Sequence, residues 1–498
     1  MPNDNMEEAG NDVPLKLKTA RTLKWNTFDR VASQVLYAIV GVVLANRLSP
    51  EDFGLVGALL VFQAFATILT DGGFGMALLQ KKEVSRTDYS TVFWFNLIFS
   101  LILYGILYAG APLIARIFQN DSRLIPLSQG MFTAFVLNGF SIVQTTRLMK
   151  KMSVKQVAIA DIVGLTAGGA VGILLAFCGY GPWSLVWQTV TSAGVKSAWL
   201  WLSTRWVPSL EFSFKSMKSV LPVGTSVLAT QTLSTICLYA YQVVVGAFYS
   251  LRALGLYTQA DKWSKMGSTS MVQVLTSTFV PLLSGFADDA STHQRYICRI
   301  NRFTAFIVLP VLCGLALVGE PLFHTFFIGN KWDVAIPLFQ ILTIRGIFVV
   351  LIQLYYNYAV SLGHSRAMLA IETAKDVTIF VAILATVFSR SLEALVWGQA
   401  AASVVTFFIS LGIASKVTGY GAMRMLTDML PFVGFTAVAC AVAWIAGLPV
   451  GTAWVRLMVE IATGLVSYLL LLRIFRTPEL PEMAGYLLGR FRREASGS

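Results

Sequence analysis

Two heptapeptides, Ser49–Leu55 (SPEDFGL) and Ser250–Leu256 (SLRALGL), carry the architecture of this chain. They share a serine, a glycine and a closing leucine, and the second follows the first by 201 residues. Further echoes follow in the same order. Pro112–Phe118 (PLIARIF) returns as Pro321–Phe327 (PLFHTFF), and Pro126-Leu127 as Pro337-Leu338. Leu185-Val186-Trp187 returns as Leu395-Val396-Trp397, an offset of 210. Short apolar matches arise by composition alone, but a common order at a nearly common offset points to an internal duplication.

Around these echoes lie apolar blocks of the length that crosses a hydrocarbon core of about 30 Å as a helix. The 498 residues are 56% hydrophobic and 13% charged, with a mean hydropathy of +0.67. Soluble domains carry about 25% charged residues, so a soluble class is excluded. About fourteen spans are predicted, near 27–46, 53–70, 90–110, 127–146, 156–177, 183–203, 219–241, 254–283, 303–327, 336–360, 367–388, 393–414, 430–447 and 454–474. Blocks four and eight are the least apolar. Connections are short, and the longest, near 284–302, leaves no room for an appended catalytic domain.

The expected class is therefore an all-α polytopic membrane protein. The duplicated unit holds six spans, and an even number returns the chain to its starting side. Two lobes, 25–209 and 210–415, are expected to share one orientation, related by a pseudo-twofold axis along the membrane normal. Such halves define a site near the midplane and an alternating-access carrier. Spans 13 and 14 (416–478) lie outside the repeat, with tails at 1–24 and 479–498.

The net charge of +12 does not signal nucleic acid. With the amino end inside, basic residues such as Lys81, Lys82, Lys150, Lys151, Arg295, Arg299 and Lys416 collect in loops on one side. Few, among them Arg47, Arg123 and Lys331, fall on the other. This is the positive-inside asymmetry, and it is expected to place both termini on the cytoplasmic side. The polar residues 1–24 followed by a long apolar block lack the form of a cleavable signal peptide. Five cysteines show no metal-ligand spacing, and the three histidines are scattered. There is no GxxxxGK[ST] loop and no HExxH, so neither an ATP-driven machine nor a zinc hydrolase is indicated, and no cofactor is implied. Gly72-Gly73-Phe74-Gly75 follows an apolar block rather than a strand, so it is expected to be a tight turn, with Asp71 orienting it.

Ionisable residues within spans are costly, so each is a functional candidate. They are Asp29, Arg30, Asp161, Lys196, Asp261, Lys262, Lys265, Arg345, Glu372, Lys375 and Asp376. Asp261 and Lys265 stand at i,i+4 and pair on one face, whereas Lys262 points about 100° away and is left for a ligand. Glu372, Lys375 and Asp376 neutralise one another. Lys196, Lys262 and Arg345, with Arg30 nearer the boundary, are the expected substrate-binding cations, since ammonium and guanidinium groups suit a pyrophosphate or an acidic sugar. Asp161 and Asp261 are the candidates for proton or sodium coupling. Tyr355, Tyr356 and Tyr358 are candidates for a sugar-lining surface, while most tryptophans, such as Trp94, Trp183 and Trp454, fit an interfacial belt.

The run Leu44–Gly57 (LANRLSPEDFGLVG), with Asp71–Leu78 (DGGFGMAL), Asp88–Trp94 (DYSTVFW), Gly255–Tyr257 and Ala260-Asp261, resembles the polysaccharide transporter family of the multidrug/oligosaccharidyl-lipid/polysaccharide flippase superfamily. It is most similar to Wzx-like exporters associated with colanic and teichuronic acid. The likeness runs over most of residues 20–415 through short, partly apolar motifs. It implies a flippase moving an undecaprenyl-pyrophosphate-linked glycan to the periplasmic leaflet, with membrane lipids and polymerase or export machinery as partners. It also implies a cationic cavity lined by the element Tyr257, Ala260, Asp261 and Lys262, with Lys265 one turn on. Lipid II flippases tend to carry an Arg-Asp pair late in the first span, where this chain has Ile39-Val40-Gly41. A surface-polysaccharide unit is thus the better expectation than a peptidoglycan precursor. Two other classes compete: a cation-coupled antiporter of drugs or small solutes, disfavoured by the excess of cations in the spans, and a membrane-embedded glycan polymerase or ligase, disfavoured by the short loops.

Overall fold

The computed structural model describes residues 15–285, 290–389 and 391–481, and among them there are helices and turns but no strand. The chain forms two compact units, one ending at Gly255 and the other beginning at Leu256. The first holds α1 (Leu15–Arg47), α2 (Pro50–Asp71), α3 (Phe74–Gln80), α4 (Arg86–Ile117), α5 (Leu124–Met131), α6 (Thr133–Gly139), α7 (Ile142–Lys150), α8 (Val154–Phe177), α9 (Trp183–Thr204) and α10 (Phe214–Phe248). It also contains the first turn of α11 (Leu251–Ser284). The rest of α11 belongs to the second unit, with α12 (Ala290–Leu317), α13 (Gly319–Phe326), α14 (Ala335–Ser361), α15 (Ser365–Thr386), α16 (Leu392–Thr418), α17 (Ala422–Gly447) and α18 (Ala453–Ile474). Helix α1 thus begins inside the stretch expected to be a tail. Residues 1–14 and 482–498, at the outer parts of the two expected tails, lie outside the described residues.

Among the described residues, 10 helical segments are long and apolar enough to cross a membrane. Four expected spans are not among them, and each has a visible reason. Blocks six, eight and eleven form α9, α11 and α15, of 22, 34 and 22 residues, which are long but carry polar side chains along their length. Block four is interrupted: α5, α6 and α7 follow one another with breaks near Phe132 and Phe140. Near these breaks Ser128, Thr133 and Ser141 turn their hydroxyls back onto the carbonyls of Ile125, Gly130 and Asn138.

Each heptapeptide of the repeat starts a long helix. Ser49 accepts the N–H of Asp52 and the Asp52 carboxylate returns to the Ser49 N–H, a closed capping box. Ser250 accepts the N–H of Ala253 at the start of α11. Within the first unit these two helix starts cross with their backbones in contact. A Cβ on Gly54 would sit 1.7 Å from the carbonyl oxygen of Leu251, and a Cβ on Gly255 would sit 1.7 Å from that of Pro50. The expected turn is also present: Gly72 and Gly73 both adopt positive φ (54° and 69°), and Asp71 accepts the backbone N–H of Gly75.

The second unit is packed around α14. Tyr355 and Tyr358 are completely buried there among Phe306, Phe407 and Phe432. Helices α17 and α18 join that core, and the Tyr468 hydroxyl donates to the Phe306 carbonyl over 2.8 Å. The expected sugar-lining role of the tyrosines is therefore corrected for two of them. Tyr358 spends its hydroxyl on Asn301 at 2.8 Å, and only Tyr356 is half-exposed.

Candidate functional site

Helical periodicity places Asp261 and Lys265 one turn apart on α11, and they pair at 2.6 Å. Asp261 is buried and Lys265 half-exposed, so the pair neutralises a carboxylate that would be expensive alone. Lys262 points elsewhere, with its Nζ 5.4 Å from the centroid of the Trp263 ring. No carboxylate among the described residues reaches ion-pairing distance of it. At 1.5 Å per residue, Lys262 lies about 16 Å along α11 from Leu251.

Arg345 lies about as far along α14, about 15 Å from Ala335. It too has no carboxylate partner among the described residues. Its Nε donates to the Ser403 hydroxyl of α16 at 3.1 Å, and Ser403 donates to the Gln399 carbonyl at 3.1 Å. Gln399 in turn accepts the Tyr257 hydroxyl of α11 at 3.2 Å through its side-chain oxygen. Tyr257, Gln399 and Ser403 are all more than nine-tenths buried. The structure thus joins Tyr257 and Arg345 through two residues that the sequence did not single out. Gln and Ser within an apolar helix were the only available signal.

In the first unit Lys196 does not stand alone. It pairs with Asp161 at 2.5 Å across α8 and α9, both side chains roughly 30% exposed. Its place among the uncompensated cations is corrected, because the two helices pack through Gly164, Gly168 and Gly172. Cβ atoms at these glycines would run into the Gln188 and Ser192 carbonyls and the Lys196 and Gln188 side chains. That close approach brings the carboxylate to the ammonium. Asp29 lies within electrostatic reach of both and accepts the Ser33 hydroxyl at 3.3 Å, and neighbouring Arg30 is exposed. Glu372 and Lys375 pair with each other, as their spacing indicates.

Away from these groups, a cavity of about 300 Å³ is lined by Glu320, His324, Asp333, Ile336, Pro337 and Gln340 and touches none of the candidate cations. Outside the helices, the loop at 118–123 folds Arg123 onto both Asp121 and Glu51. Hydrogen bonds from Arg123 hold the Asp121 carboxyl below its usual range, and those same bonds raise the Arg123 guanidinium.

These features define a polytopic helical membrane protein with cations set well inside its long helices. Its fold is shared with the lipid II flippase MurJ in an inward closed conformation, at a TM-score of 0.75 and 13% identity, over 92% of this chain and 98% of that one. A multidrug resistance MATE family transporter of the MOP superfamily, inward-facing, aligns at a TM-score of 0.60 and 15% identity over 78% and 96% of the two chains. Residues 43–337 match the family described as "Polysaccharide biosynthesis protein", and the chain belongs to that family. Teichuronic acid biosynthesis protein TuaB of Bacillus subtilis (strain 168) is 25% identical over 460 residues, 90% of this chain and 94% of the relative. The resemblance drawn from the sequence motifs is thus borne out.

Proposed function

We propose that this protein is a flippase that carries an undecaprenyl-pyrophosphate-linked oligosaccharide unit across the bacterial inner membrane by alternating access, for surface-polysaccharide synthesis. About fourteen spans with both termini cytoplasmic are part of this reading. The observation that carries it is the pair of cations without carboxylate partners among the described residues, Lys262 and Arg345, each well inside a long helix of the second unit; with those helices spanning, both lie near mid-membrane. An ionised Lys or Arg at such depth costs about 2.5–3.5 kcal/mol to insert, and retention of two is accounted for by an anionic cargo. A pyrophosphate takes an ammonium as a point charge and a guanidinium as a fork. The lipid tail stays in the bilayer, and the polar head alone needs a path. Lys196 contributes as the cationic half of its pair, and Asp161 and Asp261 are the groups through which a proton or sodium ion would act, by competing with their lysines.

The test is depletion of the protein followed by mass spectrometry of lipid-linked glycans, with leaflet-selective labelling of the sugar. Accumulation of one undecaprenyl-pyrophosphate glycan in the cytoplasmic leaflet supports the reading and names the cargo. Unchanged lipid-linked glycans with altered tolerance to organic cations would replace it with an antiporter.

A further inference from the structure

We propose that Ser403 is a positioning residue for Arg345: its hydroxyl oxygen fixes the guanidinium so that the terminal Nη edge faces a phosphate group. The inference rests on the head-group role of Arg345 proposed above. It begins from the direction of two hydrogen bonds. A serine hydroxyl has one proton and two lone pairs. In α16 that proton is committed to the Gln399 carbonyl, one turn back, over 3.1 Å. The oxygen is therefore left as an acceptor, and Arg345 Nε meets it at 3.1 Å. Ser403 is 8% exposed and Gln399 4%, so the arrangement is walled off from competing water.

The consequence lies in which nitrogen is used. A guanidinium offers five N–H groups in a plane, and bidentate recognition of phosphate uses two parallel ones. Tying down Nε engages a single N–H and leaves the Nη1–Nη2 edge, the end of the side chain, for the ligand. An arginine otherwise loses several rotatable bonds of freedom on binding, and a fixed Nε reduces that loss before the ligand arrives. Among the described residues Lys262 has no such device, and its Nζ lies over the Trp263 ring face. The two cations thus differ in kind: Arg345 is preset and directional, and Lys262 adds a point charge. Gln399 extends the same frame by accepting the Tyr257 hydroxyl, which ties α11 to the helix that holds Arg345 in place.

The experiment uses the full chain in nanodiscs, with farnesyl pyrophosphate and, separately, inorganic pyrophosphate as probes. Binding is measured for wild type, Ser403→Ala, Ser403→Thr, Arg345→Gln and the Ser403→Ala/Arg345→Gln double variant, with thermal stability recorded for each. Ser403→Ala is expected to weaken binding by about fivefold, the size of one ordinary orienting hydrogen bond. Ser403→Thr, which keeps the back-bonded hydroxyl, is expected to restore binding to within about twofold. In the Arg345→Gln background Ser403→Ala is expected to have no further effect, because a positioning residue acts only through its partner. An additive loss in the double variant, or wild-type binding by Ser403→Ala while Arg345→Gln is weakened, overturns the role of Ser403 and leaves that of Arg345 standing. Wild-type binding by Arg345→Gln, or no binding of either probe by the wild type, overturns the head-group reading itself.

Discussion

Gly54 and Gly255 occupy equivalent positions of the two heptapeptides, and each lies against the carbonyl that opens the other's helix. The two distances for an added Cβ, 1.7 Å to Leu251 and 1.7 Å to Pro50, are equal. Helix backbones this close make Cα–H···O contacts and admit no side chain.

Alanine at either position is expected to force α2 and α11 apart at their starts. The expected destabilisation is at least about 1–3 kcal/mol, the usual range for overpacking. Thermal unfolding of the purified variants checks it, and wild-type melting of both Gly54→Ala and Gly255→Ala would show that the crossing is looser than described.

Lys262 and Lys265 are expected to fail differently when neutralised. Lys262→Gln should keep normal membrane abundance and lose transport by about tenfold, the effect of one charge-assisted hydrogen bond. Lys265→Gln leaves the buried Asp261 carboxylate without its partner and should lower abundance first. Quantitative blotting beside leaflet-resolved glycan labelling separates the two outcomes.

For Asp161 and Lys196 the prediction is a coupling energy. Removing one charge strands the other within packed helices, so Asp161→Asn and Lys196→Met should each destabilise the protein, by about 1–3 kcal/mol given that each group keeps some exposure. The double variant should be less destabilised than the sum of the two. A strictly additive cycle would mean the pair contributes no net attraction.

Acid should loosen the loop at 118–123 before it affects the helices. The Asp121 carboxyl is depressed, chiefly by hydrogen bonds from Arg123, so its contribution is present above the ordinary carboxylate value of about 3.9 and is lost as pH falls through the lower folded value. The site is partly exposed, so the effect is small and screened by salt. Proteolysis at this loop as pH is lowered, compared with Asp121→Asn, checks the direction: the variant should be cut at neutral pH as the wild type is only in acid.

Much of the fold was legible because membrane helices satisfy their backbones locally, and their length and apolarity are written along the chain. The spans on α1, α4, α14 and α16 follow directly. The interruptions of the block at 127–146 did not, because short breaks between α5, α6 and α7 leave no mark on its hydropathy. The Asp261–Lys265 pair was legible for a similar local reason, since residues one turn apart share a face whatever surrounds them.

By itself, then, the sequence determined an all-helical membrane protein and the separation of Lys262 from its neighbouring ion pair, and it pointed to an internal repeat. Tertiary structure alone decided that Lys196 meets Asp161, that Arg345 rests on Ser403, and that Tyr355 and Tyr358 turn into the core. The physical reason is the rotation and approach of each helix against its neighbours. Periodicity settles which side chains share a face, but which face meets which depends on packing summed over the whole unit, and small residues such as Gly164 and Gly168 set how near the helices come.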